Sequence, residues 1–411
     1  MNFSQFDLSS AILKAVEGTG YSIPTEIQIK AIPEAVAGRD VMACAPTGTG
    51  KTAAFVLPML NRLLNQPALQ QPGLPRALVL TPTRELAQQI EASILCLSAF
   101  THLHPVAIYG GVFQSPQVQG LKNSDIIVAT PGRLLDHLRG NTANLSAVEY
   151  LVVDEADRMF DMGFAEDVQN IIGRVNRDRQ TLLFSATMNA EVRALVASIQ
   201  RDPVCIEVGE TNKPVESVTQ YFYSVSNRNK IDLLVHILSL VPDETVLVFS
   251  RTKHGTDSIA RDLRRKRIRA EAIHSDRLQT ERDRALAGFK SREYNVLVAT
   301  DIAARGIDVS GISCVINFDT PAAPEDYIHR IGRTGRADNR GIALTFVSRD
   351  EYDNFLRIEQ VIGCCCELLV YPENEKAESS LGPSRHADRK RRMKPSSSGG
   401  RQRYYRPQVA V

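Results

Sequence analysis

The stretch Leu151-Val152-Val153-Asp154-Glu155-Ala156-Asp157 decides the reading of the chain. Three apolar, strand-forming residues run directly into four residues that carry three carboxylates. A buried strand ending in clustered acids delivers negative charge to the C-terminal edge of a sheet, where α/β folds bind their ligands. Three acids at one strand end repel one another, so a cation is expected to join them.

The partner stretch lies about a hundred residues upstream, in Ala45-Pro46-Thr47-Gly48-Thr49-Gly50-Lys51-Thr52. It follows an apolar strand candidate and precedes the helical Ala53-Ala54-Phe55-Val56-Leu57, the context that a phosphate loop requires. Gly48 and Gly50 let the backbone wrap phosphate oxygens, and the new helix aims its first amides at them. Lys51 is placed to reach the β- and γ-phosphates, and the Thr52 hydroxyl to ligate Mg²⁺. Asp154 would hold Mg²⁺ through its water shell, and Glu155 would orient and deprotonate the attacking water. The departure from the general loop pattern is Ala45, where glycine is usual.

Short β-rich runs alternate with helical patterns from Asp40 onward. The first set is Val41–Ala45, Ala77–Thr81, Val106–Tyr109, Ile126–Ala129, Tyr150–Val153 and Thr181–Ser185. The alternation restarts with Thr245–Ser250, Ala270–His274, Asn295–Ala299, Cys314–Asn317 and Ile342–Val347. Such alternation implies parallel sheets covered by helices on both faces. The fold class expected is α/β with two tandem domains: residues 1–208, which carry the phosphate loop, and 218–372, joined by a linker at 209–217. Ahead of the first strand, residues 4–19 are expected to form one amphipathic helix, with a second starting near Thr25. Residues 373–411 are Ser/Gly/Arg-rich and are expected to be a disordered tail.

The net charge of +2 is unevenly spread. From Pro383 to Val411 nine Lys/Arg stand against one Asp, a balance of +8, which leaves −6 for residues 1–382. A basic arm with Tyr404 and Tyr405 suits loose, salt-sensitive tethering of a polyanion with bases to stack on, or simply solubility. No pair among the seven cysteines has zinc-ligand or CxxC spacing, which fits a reducing, cytoplasmic-type compartment. Alternation sends Cys364 and Cys366 to one face and Cys365 to the other, so packing is their expected role. The chain opens without a leader pattern and has no run of about 18 apolar residues, so no membrane partner is expected.

At this point the residues resemble a family. Val153-Asp154-Glu155-Ala156-Asp157, with the Ala45–Thr52 loop, resembles the DEAD-box ATP-dependent RNA helicases, most of all their compact bacterial members. The resemblance runs from residue 3 to about 371, and it implies two RecA-like domains. It also implies ATP as the nucleotide: Gln28 would pair with the adenine edge, and Phe3 would stack on the base, with Tyr21 in the same set. Arg84, Gly111, Thr130 and Arg133 in the first domain, and Arg251, Thr252 and Thr300 in the second, are implied contacts to RNA phosphates, with Gln279-Thr280-Glu281-Arg282 as a further RNA-contacting motif. Gly306 and Asp308 would approach the nucleotide, and Arg333 and Arg336 its γ-phosphate, Arg336 as the arginine finger. Asp157, Ser185, Thr187 and His329 would couple hydrolysis to strand separation. One departure is Ser275, before Asp276, where the family more often has glycine.

The activity implied is ATP-driven local unwinding of RNA duplexes, or ribonucleoprotein remodelling, in ribosome assembly or RNA turnover. The core is expected to be monomeric, tolerant of RNA sequence, and associated with ribosomal precursors or RNA-decay complexes. Two alternatives stay open: an ATP-gated RNA clamp or scaffold with little unwinding, and a DNA helicase or translocase.

Overall fold

In the computed structural model, residues 2–46, 48–65, 73–208, 218–304, 311–335, 341–363 and 366–371 are described. They build two seven-stranded sheets, every pairing parallel. The first contains β1 (Val41–Cys44), β2 (Ala77–Leu80), β3 (Pro105–Ile108), β4 (Ile126–Ala129), β5 (Tyr150–Val153), β6 (Gln180–Ser185) and β7 (Val204–Glu207). Its order is β3-β4-β2-β5-β6-β1-β7. The second contains β8 (Val218–Ser224), β9 (Val246–Phe249), β10 (Ala270–Ile273), β11 (Val296–Ala299), β12 (Cys314–Asn317), β13 (Gly341–Val347) and β14 (Leu368–Val370), in the order β10-β11-β9-β12-β13-β8-β14.

The central strands of the first sheet are buried on both faces because helices cover both. Successive residues therefore enter different cores. Val79, Val128, Val152 and Phe184 pack on one side of the sheet, and Leu78, Ile127, Leu151 and Leu183 on the other. This double burial is why these strands read as unbroken apolar runs. It also aligns their C-terminal ends along one edge, where Ala45, Thr81, Thr130 and Asp154 each follow a strand.

Three expectations need correction. The single helix over residues 4–19 is instead a 3₁₀ turn, Phe3–Gln5, followed by the helix Ser10–Gly18. Asn61 holds the break open: its Oδ1 accepts from the Ser9 amide (2.8 Å) and its Nδ2 donates to the Asp7 carbonyl (2.9 Å). β7 was not expected because it alternates buried and exposed residues at a sheet edge. β8 escaped for a similar reason: its Thr219, Gln220, Tyr221 and Ser224 dilute the apolar signal, although it pairs with both β13 and β14. Ser275 is not among the positive-φ residues, so serine sits there without backbone strain. No helix among the described residues is long and apolar enough to cross a membrane. The linker 209–217, Cys364, Cys365 and the tail lie outside the described residues.

Phe184 is fully buried and packs on Phe55 with ring centroids 5.4 Å apart, in a core separate from those of the second sheet. Phe184→Ala should cost the first sheet's unfolding transition about 3–5 kcal/mol. The second sheet's transition should hold its denaturant midpoint, as followed by chemical denaturation with hydrogen exchange.

Candidate active site

Two glycines carry the phosphate loop, and Gly50 is required on two grounds. Its φ is +92°, and a Cβ there would lie 2.6 Å from Gln28 Nε2 and 2.9 Å from Thr25 Oγ1. Gln28 is buried, accepts from the Thr25 amide (2.9 Å) and donates to the Gly50 carbonyl (3.0 Å). Its amide thus ties the loop to the preceding helix, Glu26–Val36, instead of standing open to a base. Lys51 opens the helix Lys51–Asn65 and is buried, with Nζ donating to the Ala45 carbonyl (2.9 Å). Thr49 Oγ1 donates to the Pro46 carbonyl (2.8 Å), and Thr52 follows Lys51 half-buried in the helix's first turn. Ala45 is fully buried and its amide donates to Ser185 O (3.0 Å), so alanine fits where glycine is usual.

Phe3 is not open to a base either. It is 5% exposed, packed edge-on to Phe6 and stacked under Tyr21 at 6.3 Å, while Tyr21 is 46% exposed. Of these two rings, Tyr21 is the one that solvent reaches.

The three carboxylates after β5 are all buried, and each has a different environment. Asp157 Oδ2 accepts from the Ala186 amide (3.2 Å), the Thr187 amide (2.8 Å) and the Thr187 hydroxyl (2.9 Å). The Asp157 amide donates to Ser185 Oγ (3.3 Å), which itself donates to Thr187 O (2.8 Å). Glu155 sits in the left-handed region at φ 51°, unfavourable by roughly 1–2 kcal/mol for a residue with a Cβ. Burial pushes its carboxyl pKa up, but the Arg158 guanidinium at 2.5 Å, with Lys51 and Arg333 behind it, outweighs burial and holds it low. Asp154 lacks such a partner. Burial pushes it up to about 7; Lys51 opposes and Glu155 reinforces the rise, and one backbone bond, from the Glu155 amide (3.0 Å), supports the charge.

The residues expected to hold RNA line the same edges. Arg84 opens the helix Arg84–Leu97 and packs against Gly111, where a Cβ would lie 2.0 Å from its Nη1. Arg133 donates to Val112 O (3.0 Å) and Gln117 Oε1 (3.3 Å), and Thr130 immediately precedes the helix Pro131–Arg139 without a side-chain capping bond. After strands of the second sheet, Thr252 Oγ1 accepts from the Gly255 amide (3.0 Å), Arg251 donates to Glu351 Oε1 (2.5 Å), and Thr300 follows β11, buried.

Residues of the two sheets meet at these edges. Arg158 lines a cleft with Asp301, Asp326, His329, Arg330 and Arg333. Arg330 is not available there for an anion: it is 3% exposed, forks onto Asp301 (2.6 and 2.7 Å), donates to Asn317 and the Asp319 carbonyl, and stacks on Phe249. The density of cations in His329–Arg336 is thus partly answered inside the second sheet. Thr47, Gly306, Asp308 and Arg336 lie outside the described residues.

One contact was not anticipated. Arg282 Nη2 meets Glu85 Oε1 at 2.6 Å with both side chains buried, Gln279 Nε2 donates to the same oxygen (3.3 Å), and Arg84 donates to Gln279 Oε1 (3.4 Å). Burial and the facing Arg282 lower the Arg84 pKa, while Glu85 opposes that shift. The sequence signal was opposite charge in two motifs, both of which look like RNA contacts; nothing in their spacing pairs them with each other.

Comparison with known proteins agrees with this geometry. Residues 25–195 match the DEAD/DEAH box helicase family and residues 229–338 the helicase conserved C-terminal domain. The chain is 40% identical over 372 residues to the DEAD-box ATP-dependent RNA helicase RhpA of Helicobacter pylori, covering 90% of this chain and 74% of that one. It is 44% identical over 353 residues to the ATP-dependent RNA helicase SrmB of Haemophilus influenzae, covering 85% and 80%. Among solved structures, S. cerevisiae Dbp5 bound to RNA and ADP BeF3 is similar with a TM-score of 0.79, at 30% identity over 92% of this chain and 97% of that one. The chain belongs to the DEAD-box ATP-dependent RNA helicase family.

Proposed function

We propose that the protein is an RNA-stimulated ATPase that uses ATP binding and hydrolysis between its two lobes to open short RNA duplexes or remodel ribonucleoproteins. The observation that carries this reading is the cleft in which Arg158, ion-paired to Glu155, faces Arg333 of the other lobe. In this reading Lys51 leaves the Ala45 carbonyl for the β- and γ-phosphates, and the loop amides wrap them. Gln28 exchanges its internal partners for the adenine edge, and Tyr21 over Phe3 offers the stacking face.

The acids fit Mg²⁺ on their donor chemistry. Asp154 is a buried carboxylate short of positive charge, and Thr52 adds a second hard oxygen; phosphates and waters complete such a shell. Bound there, the ion would neutralise phosphate charge. Glu155, kept ionised by Arg158, orients the attacking water and accepts its proton. Phosphoryl transfer is largely dissociative, so positioning matters more than base strength, and a low-pKa carboxylate suffices. Arg333 and Arg336 stabilise charge on the transferred phosphoryl group.

RNA phosphates would bridge Arg84, Gly111, Thr130 and Arg133 to Arg251, Thr252 and Thr300, and so favour closure as ATP does. Asp157, through Ser185 and Thr187, and His329 would carry the state of the nucleotide to that face. The alternative, an ATP-gated clamp with little unwinding, is favoured by the buried Glu85–Arg282 pair, which holds the lobes together. Strand displacement on a short RNA duplex separates the two. Ribosomal precursors or RNA-decay complexes in the cytoplasm are the proposed setting, with a monomeric core.

Glu155→Gln should bind ATP and RNA as the parent does, while kcat falls by at least about 10² and strand displacement stops. A parental kcat would assign the base elsewhere. Arg282→Ala leaves Glu85 buried and unpaired only in the closed form, at a cost of about 3–5 kcal/mol. The RNA and ATP concentrations for half-maximal ATPase should therefore rise together, with unchanged melting. If neither moves, the pair does not govern closure.

A further inference from the structure

The second sheet repeats the strand order of the first position for position, so β8 stands where β1 does and β12 where β5 does. Lys51 opens the helix after β1, and Lys230 opens the helix after β8, Lys230–Leu240. Lys230 is 2% exposed, with Nζ 2.8 Å from Glu351 Oε2 and 3.3 Å from Asp319 Oδ1. Asp319 follows β12 much as the acids follow β5. Where the first lobe offers its lysine to phosphate, the second closes the equivalent lysine with its own carboxylates.

A largely buried ion triad is a poor source of net stability, so its acids matter for what they hold in place. Asp319 Oδ2 accepts from the Arg251 amide (2.8 Å) and the Ser250 hydroxyl (3.2 Å). Glu351 accepts the Arg251 guanidinium on Oε1, and on Oε2 the Ser348 hydroxyl (2.8 Å) beside Lys230. The Ser250–Thr252 turn is packed on one side, where a Cβ on Gly255 would lie 2.7 Å from Ser250 Oγ. It borders a cavity of about 350 Å³ lined by Ile231, Ser250, Thr252, Gly255, Ile259 and Phe318.

We infer that Lys230, through Asp319 and Glu351, is a positioning residue that sets the Ser250–Thr252 turn for an RNA phosphate. This rests on the reading of Arg251 as an RNA contact. RNA-stimulated ATPase of the full chain, titrated with single-stranded RNA at saturating ATP, tests both. Arg251→Ala is the reference and should raise the half-saturating RNA concentration. Asp319→Asn and Lys230→Met should each raise it about tenfold, the scale of one charge-assisted hydrogen bond, with maximal turnover within about twofold. Their combination should be no worse than either alone, because the two act as one unit, and Lys230→Arg should stay near the parent. A merely structural role would lower the melting midpoint and leave half-saturation unchanged. That result beside a responsive Arg251→Ala overturns the inference, as does a double variant whose effect is the product of the singles. A silent Arg251→Ala overturns the underlying reading instead. Should Lys230→Met not fold, Ser250→Ala and Asp319→Asn carry the test, with Ser250→Ala expected to raise half-saturation about two- to threefold.

Discussion

Three carboxylates buried at the end of one strand are the constraint on which the rest of the molecule depends. Leaving several charges in low dielectric without partners would cost more than the whole chain's stability, so each needs its own answer. Asp157 takes hydrogen bonds from Ala186 and Thr187, which pins β5 to the end of β6. Glu155 takes Arg158. Asp154 has one backbone donor and the field of Lys51, and its raised pKa is the physical sign of an incomplete set. The site is therefore assembled from unequal parts. Its least compensated group is the one with most to gain from a divalent cation, and its best compensated group is the one that reaches the neighbouring strand.

The second lobe supplies what the first lacks, and the charges that meet between the lobes explain why closure can respond to ligands. Glu85 and Arg282 satisfy each other only when the sheets' edges are together, and Arg333 comes under the Glu155 field in the same arrangement. Arg282 pairs with Glu85, and the Gln279 amide links that carboxylate to Asp283 and to the Arg84 guanidinium. Any ligand bound by both lobes draws on the same closed state, and two such ligands assist each other by linkage.

Much of this was legible in the sequence for a physical reason. Strands buried on both faces are continuous apolar runs, so Ala77–Leu80, Ile126–Ala129 and Tyr150–Val153 stand out, and the polar residues that follow them mark the binding edge. What stayed hidden was tertiary. β7 is a four-residue edge strand that alternates buried and exposed residues, and β8, next to the edge of its sheet, is diluted by Thr219, Gln220 and Ser224. Phe3 is buried by Phe6 and Tyr21, and the break after Gln5 is held by Asn61 from more than fifty residues away. Arg330 is answered by Asp301, twenty-nine residues away, which no local pattern pairs with it. The Glu85–Arg282 pair joins two motifs that each read as RNA contacts, and no one-dimensional pattern distinguishes a residue that touches RNA from one that touches its neighbour.

The likeness of the two sheets sharpens the division of labour. With the same strand order, each lobe has the place for a lysine at a helix start near an acid after a strand, yet only in the second do carboxylates close on it. Lys51 rests on a single carbonyl, a neutral acceptor that phosphate oxygens outcompete on charge alone. Lys230 rests between the buried Glu351 and the partly buried Asp319, and a phosphate entering there would face both carboxylates. That difference fits the proposed binding of one nucleotide per closure. In the proposed mechanism the second lobe presents Arg333 to the nucleotide instead, so hydrolysis would wait for the lobes to meet.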